Sequence, residues 1–376
     1  MPGRKSAVFR PGWLQIGFAL ALSLISTMEA GACPLCYEAA RQLMTEGVRL
    51  DAADRAVLAK RDVGDGALRV VAVVKGEATI GDKVAEPIAD YSDATGAQEA
   101  SLLIASQSAP QWTSLGAAPL IYADWLRQIV ATREIAGDRP KRPWPLTTAT
   151  ADVLSYEGWR QRVKLVLPYL EDPNPLAARL AWGELARAPY RAMDVARSQI
   201  DAAKVTTWID DPKLGPRRAA YLMLLGFVGG PEGARRLDAR LETALAAHET
   251  KDLAALIAAD LELAGPSRVD WIEAGIFADR SRTMSEIEAA LLALNVLGDA
   301  NGSVPRERVI EAYRDFIRQR PAMAGFVAPQ LADWNYWDAA PDYSALVKTN
   351  ATMDPASQMA IGLYLRRAAE AGIVIQ

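Results

Sequence analysis

Two of the 376 residues are cysteine, and they stand three positions apart in Cys33-Pro34-Leu35-Cys36. A Cys-x-x-Cys pair supports three chemistries. If residues 34–45 (PLCYEAARQLMT) form a helix, both sulfurs sit at its positive end, which lowers a thiol pKa and favours disulfide exchange. Redox pairs of this kind normally follow a strand inside a βαβ unit, and no strand precedes this one. A structural disulfide between Cys33 and Cys36 is the simpler chemistry, since Cα atoms in a first helical turn approach the roughly 4.4–6.8 Å that a bridge needs. The third is lipidation of Cys33. Ala30-Gly31-Ala32-Cys33 has the small residues of a lipobox, but Ala30 stands where an aliphatic is expected, and a lipid would leave Cys36 unpaired. Ordinary cleavage after Ala32 is preferred. Haem attachment is excluded because Tyr37, not histidine, follows Cys36. Zinc lacks soft ligands, His248 being the single histidine. No metal and no cofactor is expected.

The context of the pair sets its compartment. Arg4, Lys5 and Arg10 precede an apolar run from Trp13 to Ile25, followed by the small residues before Cys33. That order is the pattern of a secretory signal peptide over residues 1–32. The run of about 13 residues is too short to anchor across a bilayer core of about 30 Å. The expectation is an exported protein, periplasmic or secreted, with a lipoprotein anchored through Cys33 as the alternative. No later segment reaches a membrane-spanning length. A net charge of −4 and the lack of a basic stripe with interleaved aromatics argue against nucleic-acid binding.

Other candidate groups are fewer. His248, in Ala-Ala-His-Glu-Thr, reads as a solvated residue at a helix end. Carboxylate pairs such as Asp210-Asp211 and Glu286 with Glu288 are expected on exposed helix turns or as caps, and no spacing selects a catalytic pair. There is no nucleophile elbow, phosphate-cradling loop or dinucleotide fingerprint. Trp334-Asn335-Tyr336-Trp337, with Tyr343 nearby, offers either a recognition surface built on Trp334, Tyr336 and Trp337 or the packed end of a helical core.

These groups must be carried by two kinds of element. Segments 55–61 (RAVLAKR), 68–75 (LRVVAVVK), 82–88 and 101–106 (SLLIAS) read as short strands separated by glycine-bearing turns, and so as a small antiparallel sheet or barrel. Residues 120–133 (LIYADWLRQIVATR) take helical spacing. Residues 137–145 hold three prolines and read as a linker. From about Ala151 onward the chain scans as Ala- and Leu-rich helices broken by Pro and Gly: 176–187, 217–227, 232–246, 253–263, 268–277, 284–297 and 306–318. Asp172-Pro173 and Asp211-Pro212 recur 39 positions apart and each suits a helix start. The fold class is α+β, mostly α: a small N-terminal antiparallel β domain followed by an α-solenoid. The expected divisions are a signal peptide at 1–32, a Cys-x-x-Cys and β segment at 33–119, a helix and linker at 120–150, and helical repeats at 151–376.

The recurring Asp-Pro openings and the Leu225-Gly226 close resemble HEAT repeats over residues 165–240. The Cys start, Ala53-Asp54-Arg55-Ala56-Val57, Val73-Val74-Lys75-Gly76 and Gly81-Asp82-Lys83-Val84 resemble the netrin/TIMP-like OB barrel. Together they are similar to a group of exported bacterial proteins that join such a barrel to HEAT-like helices. That resemblance implies no particular activity. The functional expectation is a non-catalytic binding or scaffold protein that presents a solenoid surface to a protein or peptide partner. The alternative is an exported enzyme, either a thiol-disulfide oxidoreductase or a hydrolase. The repeat reading also predicts burial: Leu180, Leu185, Leu222 and Leu225 inside, with Arg179, Glu184, Arg217 and Arg218 facing solvent or a neighbouring helix end.

Overall fold

A computed structural model describes residues 45–87, 94, 96–138, 154–299, 302–349 and 355–374, all within one compact unit. Residues 1–32, Cys33, Cys36 and most of the expected linker lie outside the described residues. A seven-residue helix, α1 (Glu46–Ala52), comes first, capped by the Thr45 hydroxyl, which accepts from the Val48 amide at 3.3 Å. Five strands follow: β1 (Arg55–Arg61), β2 (Leu68–Lys75), β3 (Lys83–Val84), β4 (Glu99–Ala105) and β5 (Thr113–Pro119). They form one antiparallel sheet in the order β3-β2-β1-β4-β5. β1 sits in the middle, with Leu58 opposite Ala72 of β2 and Leu102 of β4.

The central strands are apolar on both sides because both sides are covered. Ala56, Leu58, Leu102 and Ile104 join the main core with the helices. Val57, Ala59, Leu68, Val70, Val84 and Leu103 close a second, smaller core on the other face. Register shifts interrupt the β1–β2 and β4–β5 ladders, the kind of irregularity that locally bends and twists a strand. Among the described residues no ladder joins β3 to β5, so the sheet is open where a closed barrel would have a seam.

Fourteen α-helices lie among the described residues, and the protein is mostly helical. After α2 (Ala123–Ala131) come α3 (Tyr156–Val166), α4 (Pro175–Arg187), α5 (Ala202–Asp210), α6 (Arg218–Val228), α7 (Gly230–Ala246), α8 (Leu253–Ala264) and α9 (Arg268–Ile272). Then follow α10 (Met284–Leu297), α11 (Arg306–Gln319), α12 (Ala328–Asp333), α13 (Ala340–Lys348) and α14 (Pro355–Glu370). No described helix is long and apolar enough to cross a membrane.

The stacking follows from composition. α8 (LAALIAADLELA) is apolar nearly all round, which only a helix covered on every side tolerates. It packs between α6 and α10, with α7 alongside. At the α6–α8 crossing, a Cβ on Gly226 would lie 2.9 Å from the Ala259 Cα, so the two backbones meet there as closely as glycine allows. Leu180, Leu185, Leu222 and Leu225 are buried as the repeat reading requires, and among the described residues no strand falls between 172 and 318. Arg179 is exposed, and Arg217 and Arg218 are half-buried. Glu184 departs from expectation: its exposure is 0%, for reasons given below.

The Asp-Pro openings work differently at the two sites. Asn174, not Asp172, caps α4 by accepting from the Ala177 amide at 3.0 Å, with Pro175 at the first helical position. The Asp172 carboxylate instead accepts from the Asn174 amide and the Tyr122 hydroxyl, at 2.8 and 3.0 Å. Asp211 does accept from the Lys213 amide, but it opens a 3-10 turn, Pro212–Arg217, that leads into α6.

Candidate functional site

A buried charged cluster joins the first helices to the sheet. Arg162, on the buried face of α3, is 0% exposed and sends its guanidinium between two carboxylates. Its Nη1 donates to Asp51 Oδ2 at 2.6 Å and to Glu184 Oε2 at 2.9 Å; its Nη2 donates to Asp51 Oδ1 at 3.1 Å and to the Ile129 carbonyl at 2.8 Å. The Nε donates to the Thr132 hydroxyl at 2.7 Å, which itself donates to the Ile129 carbonyl. Arg187, one turn beyond Glu184 on α4, reaches both carboxylates at 3.2 Å. Two acids and two guanidiniums therefore balance inside the protein.

Other contacts tie the cluster to the sheet. At the C-terminal end of α1, Lys75 of β2 donates to the Asp51 carbonyl at 2.7 Å, and Arg133 donates to the same oxygen. Cations there also suit the negative end of a helix. Burial, the strongest influence on Asp51, would raise its carboxyl, but the charge and hydrogen bonds of Arg162, with Arg187 and Arg133, hold it below the ordinary value. Burial would likewise depress Arg162, and the facing Glu184 and Asp51 carboxylates lift it instead. Lys75 is lowered by burial and then by Arg133.

The fit is tight enough to dictate a neighbour. A Cβ on Gly47 would overlap the Glu184 carboxylate, so only glycine fits this position of α1. Glu184 Oε1 and Arg187 Nε have no hydrogen-bond partner. Asp51 and Arg187 are only 5% and 7% exposed, so a substrate has no approach to any member. Chemically the cluster is a fastening between α1, α3, α4 and the sheet.

A second constellation surrounds Glu286, which the sequence places on an exposed turn or cap. It is a cap, and it is fully buried. Thr283 and Glu286 form a reciprocal capping box at the start of α10. The carboxylate accepts from the Thr283 amide at 2.7 Å, the Thr283 hydroxyl at 2.8 Å and Arg282 at 3.1 Å. His248 Nδ1 lies 3.1 Å from its Oε2. Burial would raise this carboxyl, but the hydrogen bonds from Thr283, His248 and Arg282 outweigh it and bring its pKa down to about 2. His248 does stand just past a helix end, on left-handed backbone, with its ring half exposed. Asp210 is exposed and pairs with Arg236 and Arg240 of α7.

The aromatic group near the C-terminus is half-buried. One side of Trp334 stacks on Tyr313 at 6.0 Å and 7°, and Arg306 stands over the ring at 5.1 Å. Trp337 meets Tyr364 at 5.3 Å, with Arg367 over it at 6.0 Å. Tyr336 takes part through its main chain, its carbonyl accepting from the Tyr364 hydroxyl at 2.5 Å. These rings have partners from within the chain. The same habit recurs elsewhere: a cation stands over Trp112, Trp159, Trp182, Trp208 and Trp271.

Cys33 and Cys36 lie outside the described residues. Sequence reasoning missed Asp51, Arg162, Glu184 and Arg187 as a group. Its one local trace was the i,i+3 spacing of Glu184 and Arg187, which puts both on one face of α4. No protein-family model, curated protein or solved structure matches the chain.

Proposed function

We propose that this chain is an exported, non-catalytic binding protein that presents its helical stack to a protein or peptide partner. The observation that carries the reading is where the ordered ionisable groups lie: Asp51, Arg162, Glu184 and Arg187 are sealed inside, and Glu286 serves a helix cap. What stays accessible is helix surface, held in place by the apolar row of α6, α8 and α10. Stacked helices give an extended recognition surface without needing a cleft. The successive helices suit HEAT-like repeats, the likeness to netrin/TIMP-like barrels rests on the motifs at 53–57, 73–76 and 81–84, and the order of residues 1–32 supports export.

The competing reading is a thiol-disulfide oxidoreductase acting through Cys33 and Cys36. Two assays on the mature protein separate them: insulin-disulfide reduction, and capture of partners from extract of the protein's own compartment on immobilised chain. The binding reading expects specific capture that survives Cys33→Ser with Cys36→Ser, and no reductase activity. Reduction of insulin that disappears in the double variant, without specific capture, would overturn it.

A further inference from the structure

The last turns of α11 carry Arg314 and Arg318, and Arg320 follows the helix directly. Across from them, Arg280 follows the π-helical turn Glu273–Phe277 that extends α9. Arg280 Nη2 donates to the Gln319 carbonyl at 2.6 Å. Arg320 answers in kind: its Nε donates to the Phe277 carbonyl at 2.7 Å, and its Nη2 to the Asp279 carbonyl. Each guanidinium thus holds the carbonyl of the residue preceding the other, and each stands at the negative end of the other's helix.

This exchange fixes two cations without neutralising them. Among the described residues Arg280, Arg314 and Arg320 have no carboxylate within salt-bridge distance, whereas Arg318 pairs with Asp315. Nearby Asp279 is engaged by Ser281 and Arg282. Burial, followed by the charge of Arg280, presses the pKa of Arg320 down, and the charge of Asp279 works against them. Arg280, Arg314 and Arg318 are exposed. The patch stands out on a chain whose net charge is −4.

Resting on the binding reading above, we infer that the exposed Arg280, Arg314 and Arg318 form the docking site for an acidic segment of the partner, a run of Asp or Glu side chains, with the buried Arg320 holding the end of α11 to the Phe277 and Asp279 carbonyls. Single cations spread along the end of a helix match successive monoanionic carboxylates. They match a single concentrated dianion less well, because Arg314 and Arg318 stand one turn apart along α11. Nucleic acid is disfavoured because Tyr313 and Phe316, the rings of this part of α11, are buried and offer no stacking platform. Arg280, already held by the Gln319 carbonyl, loses little side-chain freedom on binding, which favours affinity.

The test uses the mature protein and fluorescein-labelled hexaglutamate, read by anisotropy at low salt. Hexalysine, a single-stranded oligonucleotide and inorganic phosphate serve as comparison probes. Arg280→Gln with Arg314→Gln removes two exposed charges while leaving the buried Arg320 in place. Circular dichroism and the melting temperature check that this variant folds. The expected result is hexaglutamate binding that weakens with salt, and at least tenfold weaker binding by the double variant. Hexalysine should not bind, and millimolar phosphate should not compete. Unchanged affinity in the folded double variant overturns the site. So does tighter binding of the oligonucleotide, or displacement by phosphate at low concentration. Partner capture that persists in the double variant would leave the scaffold reading standing and remove this site. Hexaglutamate binding without any partner capture would do the reverse.

Discussion

At Glu184 a side chain expected at the surface is instead a support of the interior. Removing one partner from a buried ion cluster leaves the other charges uncompensated, a loss of about 3–5 kcal/mol. Glu184→Ala should therefore cost about that much in urea unfolding, whereas exposed Arg235→Ala should change stability by less than about 0.5 kcal/mol. Gly47→Ala should also destabilise, by about 1–3 kcal/mol, because the added methyl displaces the carboxylate from Arg162. Glu286 makes a separate prediction about pH. Its folded pKa of about 2 lies below the ordinary 4.5, so its contribution is complete above 4.5 and fades as pH falls toward 2. The urea midpoint should fall over that window in the parent protein, and less steeply in Glu286→Gln. Equal slopes would show that the cap contributes nothing to acid sensitivity. Neither environment was legible locally. Glu184 lies 133 residues from Asp51 along the chain, and its burial depends on α1, a short helix with a glycine near its start.

At the scale of elements, pattern reading worked where packing agreed with it. Segments 55–61 and 68–75 are β1 and β2 to the residue, and 284–297 is α10. The expected strand at 82–88 shrinks to Lys83–Val84, because at the sheet edge only the stretch beside Leu68 and Arg69 pairs. β5 (TSLGAAP) escaped notice because small residues, Gly116 and Pro119 give a weak strand signal; β4 pairing makes it a strand. The helix expected at 268–277 breaks into a short α-helix and a π turn. Inside the stack, Leu222 is 1% exposed, and Leu222→Ala should cost about 2–5 kcal/mol. Gly226→Ala should cost about 1–3 kcal/mol by forcing α6 from α8. Denaturant midpoints with an unchanged m-value would check both.

Across the molecule, one face of the sheet shares the main core with the helices while the charge cluster joins their first layers. Damage in a stack spreads first to neighbours. Hydrogen exchange in Leu222→Ala should therefore quicken in α6, α7 and α8 before β1 and β4. Simultaneous loss of protection everywhere would mean that the helices do not behave as repeats. The tryptophans under their cations carry a further consequence, an optical one. Trp159, Trp182, Trp208, Trp271 and Trp334 fall on successive parts of the chain from α3 to the end of α12, each in its own enclosed setting. An indole leaving such a setting for water shifts its emission to longer wavelength. Replaced one at a time by phenylalanine, these five residues turn the protein's intrinsic light into a position-by-position record of the order in which its layers come apart.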